Sequence, residues 1–354
     1  MKTIRIGTGT GYDITVGGGI LKNLGKAARA VAATKDAKKA VVVCDSNIST
    51  LYAEEAVMSL KLAGYTVTKF VIKPTELTRR LNTVTELCSA AAGAGLSKGD
   101  FFVAVGGVMT CDITGIAALL YLCGSPYISV PTTTLAQVIR SVGVTQNIDL
   151  PEGRRMIAAR WQPAAVLCDT DLLSTQPKRS LNNGIAEIIK LGCIASDKLI
   201  EEIDSPDKEK LITHAINIRE KLVTKDERTS GTRPIIHFGN LLCRALEEVS
   251  DYSLDHSEAL SIGMTITCAA AEGAGLALVG TTDKLEALLK KHGLPTSTNI
   301  PHEKLLEAIS ADRYANGATF VLPLIRSIGD GYVHKLNTSE LRSFFIRSLP
   351  DWAQ

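Results

Sequence analysis

Three polar groups in the second half of this 354-residue chain have the types and spacing to do chemistry. Glu187 lies in GIAEIIKLG, with Lys190 three residues later, and His256 lies in DHSEALSIGM. Between them, IIHFGNLLCRALEE places His237, Asn240 and Arg244 at helical spacing. A glutamate and two histidines, with a fourth position open to water or substrate, are what a catalytic zinc needs. Here Asn240 stands where the second imidazole would be, so Glu187 and His256 make an incomplete metal pair. His237 is one helical turn earlier, a shift of ~4–5 Å along the axis, which is more than zinc–ligand bonds tolerate. It reads as an ordinary histidine at a helix start. Without a metal, Glu187 beside Lys190 becomes a proton-transfer group.

The elements that must position these groups fall into two textures. Up to about residue 178, short β-rich runs alternate with helical patterns. AVVVC (40–44) ends at Asp45, and a helix follows to Ala63 with Gly64 as its stop. YTVTKFVI, FFVAVGG and PYISVP read as further strands, and LNTVTELCSAAAGAGL and CDITGIAALLYL as helices. This alternation predicts a Rossmann-like parallel sheet covered on both faces, with ligands at the carboxyl ends of its strands. From residue 179 onward the segments are mainly helical, with Asn182 and Asn183 as turn signals ahead of the first helix. A β-like patch, FVLPLI then GYVHKL, precedes a polar tail. The expectation is an α/β nucleotide-binding-like domain (1–178) and a mainly α-helical domain carrying the metal- or substrate-site residues (179–354). GTGTG and GGG near the N-terminus follow no strand–helix phosphate signature and read as hairpin turns. Trp161 and Gln162, before Pro163, read as a turn packed on the sheet.

Composition sets limits. The 45% apolar content with a net charge of +2 indicates a globular protein without the basic runs of a nucleic-acid binder. No apolar stretch reaches the ~18–20 residues of a membrane span. The eight cysteines are scattered without a CxxC pair and read as buried, reduced thiols of a cytoplasmic protein.

Seven motifs in order resemble 3-dehydroquinate synthase and the wider sugar-phosphate cyclases. They are VAVGGVMTCDITGIAA, VPTTTLAQV, SVG with MIAARWQPAAVLCDTD, GIAEIIKLG, KDERTSGTR, HFGN and DHSEALSIGM. The resemblance implies NAD bound by the first domain, zinc by the second, and a pair of identical subunits. It implies transient oxidation of a substrate hydroxyl, loss of phosphate, re-reduction and ring closure.

Carried over residue by residue, Gly106 and Gly107 match the phosphate-cradling turn, and Asp112 the position facing the nicotinamide. Thr132 and Thr133 match cofactor-contacting threonines, and Asp45 and Glu76 the adenosine side. The third turn glycine is Val108, the glycine before the aspartate is Cys111, the lysine after SVG is Thr145, and an expected aspartate is Ile139. Glycines in such turns allow positive φ and close backbone approach, which a valine does not supply. NAD binding therefore stays open, against loops that merely close the sheet.

Glu187 and His256 match metal ligands, and Asn240 replaces the central one. Cationic positions persist with changed types: Arg79, Arg154, Arg155, Arg219, Arg233, Arg244 and Arg313, while one arginine contributed to the neighbouring subunit is Cys123. Guanidinium groups make two-pronged contacts with carboxylate and phosphate, so an arginine-rich anion site is expected.

The leading expectation is a divergent lyase or cyclase acting on a small anionic substrate, without catalytic zinc. Its catalytic residues would be Lys190, Glu187, Arg233, Arg244 and His237. Arg154, Arg155, Arg219, Asn240, His256 and Arg313 would bind substrate. Two alternatives stand beside it: a non-catalytic homologue with a binding or regulatory role, and a working synthase using NAD and zinc with His237 as substitute ligand.

Overall fold

The computed structural model describes residues 1–7, 9–75, 78–224, 233–311 and 319–349. It divides into two compact units, Met1–Pro177 with Asp207–Glu220, and Lys178–Pro206 with Lys221–Gln354.

The first unit is built on a seven-stranded sheet. Its strands are β1 (Lys2–Ile6), β2 (Tyr12–Gly17), β3 (Lys39–Asp45), β4 (Thr66–Ile72), β5 (Phe101–Gly106), β6 (Tyr127–Pro131) and β9 (Ala165–Asp169), in the order β1-β2-β9-β6-β5-β3-β4. Only β1 and β2 pair antiparallel, and every other neighbour is parallel. Strands buried on both faces read as continuous apolar runs. Thus Ala40, Val42 and Cys44 of β3 enter one core with Phe101 and Val103, while Val41 and Val43 enter the other with Phe102 and Ile113. A separate ribbon, β7 (Thr145–Leu150) with β8 (Gly153–Arg160), is antiparallel.

The second unit holds the helices Lys178–Ala195, Asn240–Val249, His256–Gly273, Thr281–Lys291, His302–Ser310 and Leu341–Ser348, with a hairpin of β10 (Thr319–Ser327) and β11 (Asp330–Asn337). No helix among the described residues is long and apolar enough to cross a membrane.

Several local expectations need correction. Asn182 and Asn183 lie inside a helix that starts at Lys178. Asn183 is polar for a tertiary reason, since its Oδ1 accepts from the Ser257 amide at 2.8 Å, at the start of another helix. The polar tail contains the helix Leu341–Ser348, whose Phe345 is fully buried. The described residues of GTGTG do lie between β1 and β2, but GGG ends β2 and leads into a 3-10 turn rather than a hairpin. A single cut near residue 178 also misses Asp207–Glu220, which groups with the first unit. There Arg219 Nε donates to the Val142 carbonyl at 3.2 Å, and Glu209 pairs with the Met1 amino group at 2.7 Å.

Candidate active site

In the first unit, the polar group gathers where β5 and β6 end. Gly107 is the N-cap of the helix Val108–Leu120, with φ −75°. Val108 is the first residue of that helix and does not take positive φ. The objection from positive φ therefore fails, because this turn needs no left-handed backbone here. Gly106 is required by contact, since a Cβ there would lie 2.5 Å from Thr110 Oγ1. A Cβ on Gly107 would make only ordinary contact with the Thr133 side chain, at 3.6 Å. Thr132 is buried, and Thr133 Oγ1 accepts from the Ala136 amide at 3.2 Å, capping the next helix. Asp45 Oδ1 accepts from the Asn47 amide at 2.9 Å, and burial pushes the Asp45 carboxyl up from its ordinary value.

Asp112 is fully buried and bracketed by two guanidinium groups. Arg140 Nη2 donates to its Oδ2 at 2.9 Å, and Arg79 Nη1 lies 3.7 Å from the same atom. Both arginines have second anchors. Arg79 forms a two-pronged pair with Asp149 at 3.0 and 2.9 Å, and Arg140 donates to the Thr145 carbonyl at 2.8 Å. Burial raises the Asp112 carboxyl while Arg140 and Arg79 oppose it, leaving it above its ordinary value. Arg154 and Arg155 are exposed on the β7–β8 ribbon, with the Arg155 amide donating to Asp149 Oδ1 at 2.6 Å. Arg140 was not foreseen. Its signal was a basic residue beside Ile139, where an aspartate was expected.

In the second unit, the helix Lys178–Ala195 carries Glu187 and Lys190 on one face, and both are buried. Lys190 Nζ lies 2.7 Å from Glu187 Oε2 and 3.4 Å from Asn240 Oδ1. Asn240 Nδ2 is 3.2 Å from Nδ1 of the exposed His237. His256 Nε2 lies 3.4 Å from Glu187 Oε1, and its Nδ1 lies 2.9 Å from Glu247 Oε1 and 3.6 Å from Cys243 Sγ. Burial works to raise the Glu187 carboxyl, but the Lys190 ammonium and the His256 ring overcome it and hold the group well below the usual carboxylate range. Burial works to lower the His256 imidazole, but Cys243, Glu187 and Glu247 hold it well above its ordinary value.

Two glycines let these helices approach. Gly239, at φ 75°, starts the helix Asn240–Val249 in the left-handed region. A Cβ on Gly263 would lie 2.5 Å from the Gly239 carbonyl and 2.8 Å from the Cys243 amide. Lys190, Glu187, Asn240, His237 and His256 are therefore brought together, and Arg244 lies half-buried on the same helix as Asn240. Cys243 and Glu247 belong to the cluster but were read only as part of a helical run. Glu76, Arg313 and the side chain of Arg233 lie outside the described residues.

Comparisons with known proteins agree on the family. Residues 69–183 match the family model for the 3-dehydroquinate synthase N-terminal domain, and residues 184–315 the model for the C-terminal domain. The chain is 32% identical over 351 residues to the 3-dehydroquinate synthase of Clostridium acetobutylicum, covering 96% of this chain and 98% of that one. It is 30% identical over 344 residues to that of Streptococcus gordonii, covering 94% and 96%. Among solved structures, a 2-deoxy-scyllo-inosose synthase complexed with carbaglucose-6-phosphate, NAD+ and Co2+ superposes with TM-score 0.84 at 20% identity, covering 97% and 99%. The 2-epi-5-epi-valiolone synthase of Streptomyces hygroscopicus, with NAD+ and Zn2+ bound, gives TM-score 0.84 at 21% identity, covering 97% and 96%. At these identities the two structures speak for the fold.

Proposed function

The chain belongs to the 3-dehydroquinate synthase family, and on that premise we propose that it is a divergent lyase or cyclase of the family. Its substrate is a small carboxylate or phosphate in a biosynthetic pathway, and two copies pair in the cytoplasm. The observation that carries this reading is the buried pair of Lys190 and Glu187 with the half-buried Asn240 beside it.

An amide oxygen is a poor zinc donor beside imidazole, and the Asn240 oxygen faces the Lys190 ammonium. Glu187, Asn240 and His256 therefore do not fit a zinc ion as the family pattern would hold it, and no step is routed through one. Lys190 is the acid: its ammonium, aimed by Glu187, donates to a substrate oxygen and steadies negative charge there. Glu187 is held too firmly as a carboxylate to shuttle protons, and it acts as the orienting group. Arg244, Arg233 and His237 are assigned to the substrate's anionic group, and Arg154, Arg155 and Arg219 keep the anion-binding role that the family match implies for them. Arg313 joins them by its match to a basic family position.

The turn at Gly106 and Gly107 fits a dinucleotide. It stands before the amides of a helix start, which favours a pyrophosphate, and Thr132 and Thr133 flank it. Bound NAD would supply transient oxidation of a substrate hydroxyl.

The test is phosphate release by the full-length protein from a panel of sugar and sugar-acid phosphates, with and without NAD+. Release from a substrate other than the seven-carbon acid of the orthodox synthase is expected. Release from that seven-carbon acid, dependent on zinc and NAD+, would overturn the divergent reading. Silence across the panel would favour a non-catalytic homologue.

A further inference from the structure

The polar cluster of the second unit has a second face that the proposed reaction does not use. Cys243 and Glu247 are one helical turn apart in Asn240–Val249, so both side chains project from the same side of that helix. The chain then turns back sharply. Asp251 and Tyr252 take left-handed φ of 50° and 59°, and the Tyr252 amide donates to the Glu247 carbonyl at 2.7 Å. This reversal returns His256, the first residue of the next helix, to the Cys243–Glu247 face. The thiol sulfur, a carboxylate oxygen and an imidazole nitrogen then lie within 4.8 Å of one another.

The geometry points to a transition-metal site formed by Cys243 Sγ, Glu247 Oε1 and His256 Nδ1, taking Zn2+ or a chemically similar divalent ion. Bond lengths of about 2.0–2.3 Å in a tetrahedral site put donor atoms about 3.3–3.5 Å apart. His256 Nδ1 is 3.6 Å from the sulfur and 2.9 Å from the carboxylate oxygen, each within tenths of an ångström of that spacing, and the sulfur and the carboxylate lie within 4.8 Å of each other. The donor types also suit the ion, since a thiolate and an imidazole favour zinc over the hard cations. Three protein donors leave a fourth position for water or substrate.

The ring's other nitrogen supports the assignment. His256 Nε2 faces Glu187 Oε1 at 3.4 Å. A carboxylate there holds the Nε2 proton and turns the Nδ1 lone pair toward the metal, the usual outer support of a metal-bound histidine. Lys190, 2.7 Å from the other oxygen, balances the charge of Glu187. Glu187 is thus a positioning residue for this site and not one of its ligands. The site differs from a Glu187–His256 zinc site in two of three donors and in the ring nitrogen used. Its test is spectroscopic, so the outcome does not depend on the proposed reaction, although Glu187 serves both.

The experiment is titration of the reduced full-length protein with Co2+, followed by Zn2+ competition. One equivalent of Co2+ should give a sulfur-to-cobalt charge-transfer band, lost on adding Zn2+. Removing an outer-shell partner of a metal site costs ~10–100-fold in affinity, so Cys243→Ser, which removes a ligand, should cost more than ~100-fold and abolish the band. Glu247→Gln should weaken binding while keeping the band, and Glu187→Gln should weaken it by no more than ~100-fold. If Cys243→Ser does not fold, X-ray absorption of the zinc-loaded wild type decides, with one sulfur neighbour expected. No stoichiometric binding, a bound ion without sulfur, or loss of binding in Glu187→Gln with Cys243→Ser unaffected would overturn the assignment.

Discussion

Each unit buries a carboxylate between two basic groups, and the two arrangements differ in what else those bases touch. Around Asp112, Arg79 and Arg140 are each tied to a further acceptor, Asp149 and the Thr145 carbonyl. Around Glu187, Lys190 reaches, among the described residues, one further acceptor, an amide oxygen at 3.4 Å, and His256 turns its second nitrogen to a thiol and another carboxylate. The first cluster spends its donors on structure. The second holds an ammonium, an imidazole and a thiol in positions from which they can act on a ligand. Equal charge balance thus yields a brace in one unit and, on the proposed reading, a reactive group in the other.

The largest effect that could break this contrast is on stability. Asp112→Ala leaves two partly buried guanidiniums without their shared acid, and removing one partner of a buried ion pair costs ~3–5 kcal/mol. Chemical denaturation should show that loss, and a change below ~1 kcal/mol would mean that the arginines pair equally well elsewhere. A smaller effect is expected at Thr133, whose hydroxyl caps a helix. Thr133→Ala should cost ~1 kcal/mol by loss of the cap, read as a lower denaturation midpoint. If Thr133→Ala instead weakens NAD+ binding at unchanged stability, its hydroxyl serves the cofactor and not the fold.

The smallest effect is confined to acid. Burial raises the Asp100 carboxyl, but amides of Ser97, Lys39 and Lys38 and the Ser97 hydroxyl overcome it and hold the group below its ordinary value. A carboxyl lowered in the folded state gives stability that is present above about pH 4 and is lost as pH falls through the folded value. Asp100→Asn should therefore flatten the acid limb of stability against pH, and an unchanged limb would assign acid unfolding to other groups.

The sequence displayed the helical spacing that joins Glu187 to Lys190, the strand–helix alternation and the resemblance that fixes the family. It hid what depends on chain reversal. Cys243 sits in an apolar run and reads as core, and only the left-handed turn at Asp251 and Tyr252 makes it a neighbour of His256. Val108 looked wrong for a glycine turn because its place as a first helical residue depends on where the helix begins. At Ile139 an expected acid was missed, while the next residue, Arg140, had become the partner of Asp112. Local period and residue type were legible, and the partners of long polar side chains were not.

The most direct test compares Lys190→Met with Arg140→Met in the phosphate-release assay, using the substrate found for the wild type and checking that both variants are folded. The account predicts that Lys190→Met loses ~100-fold or more in turnover, the scale of general acid–base catalysis, while Arg140→Met keeps most of its turnover and melts at a lower temperature. Retained turnover in Lys190→Met, or a larger loss in Arg140→Met, would contradict it.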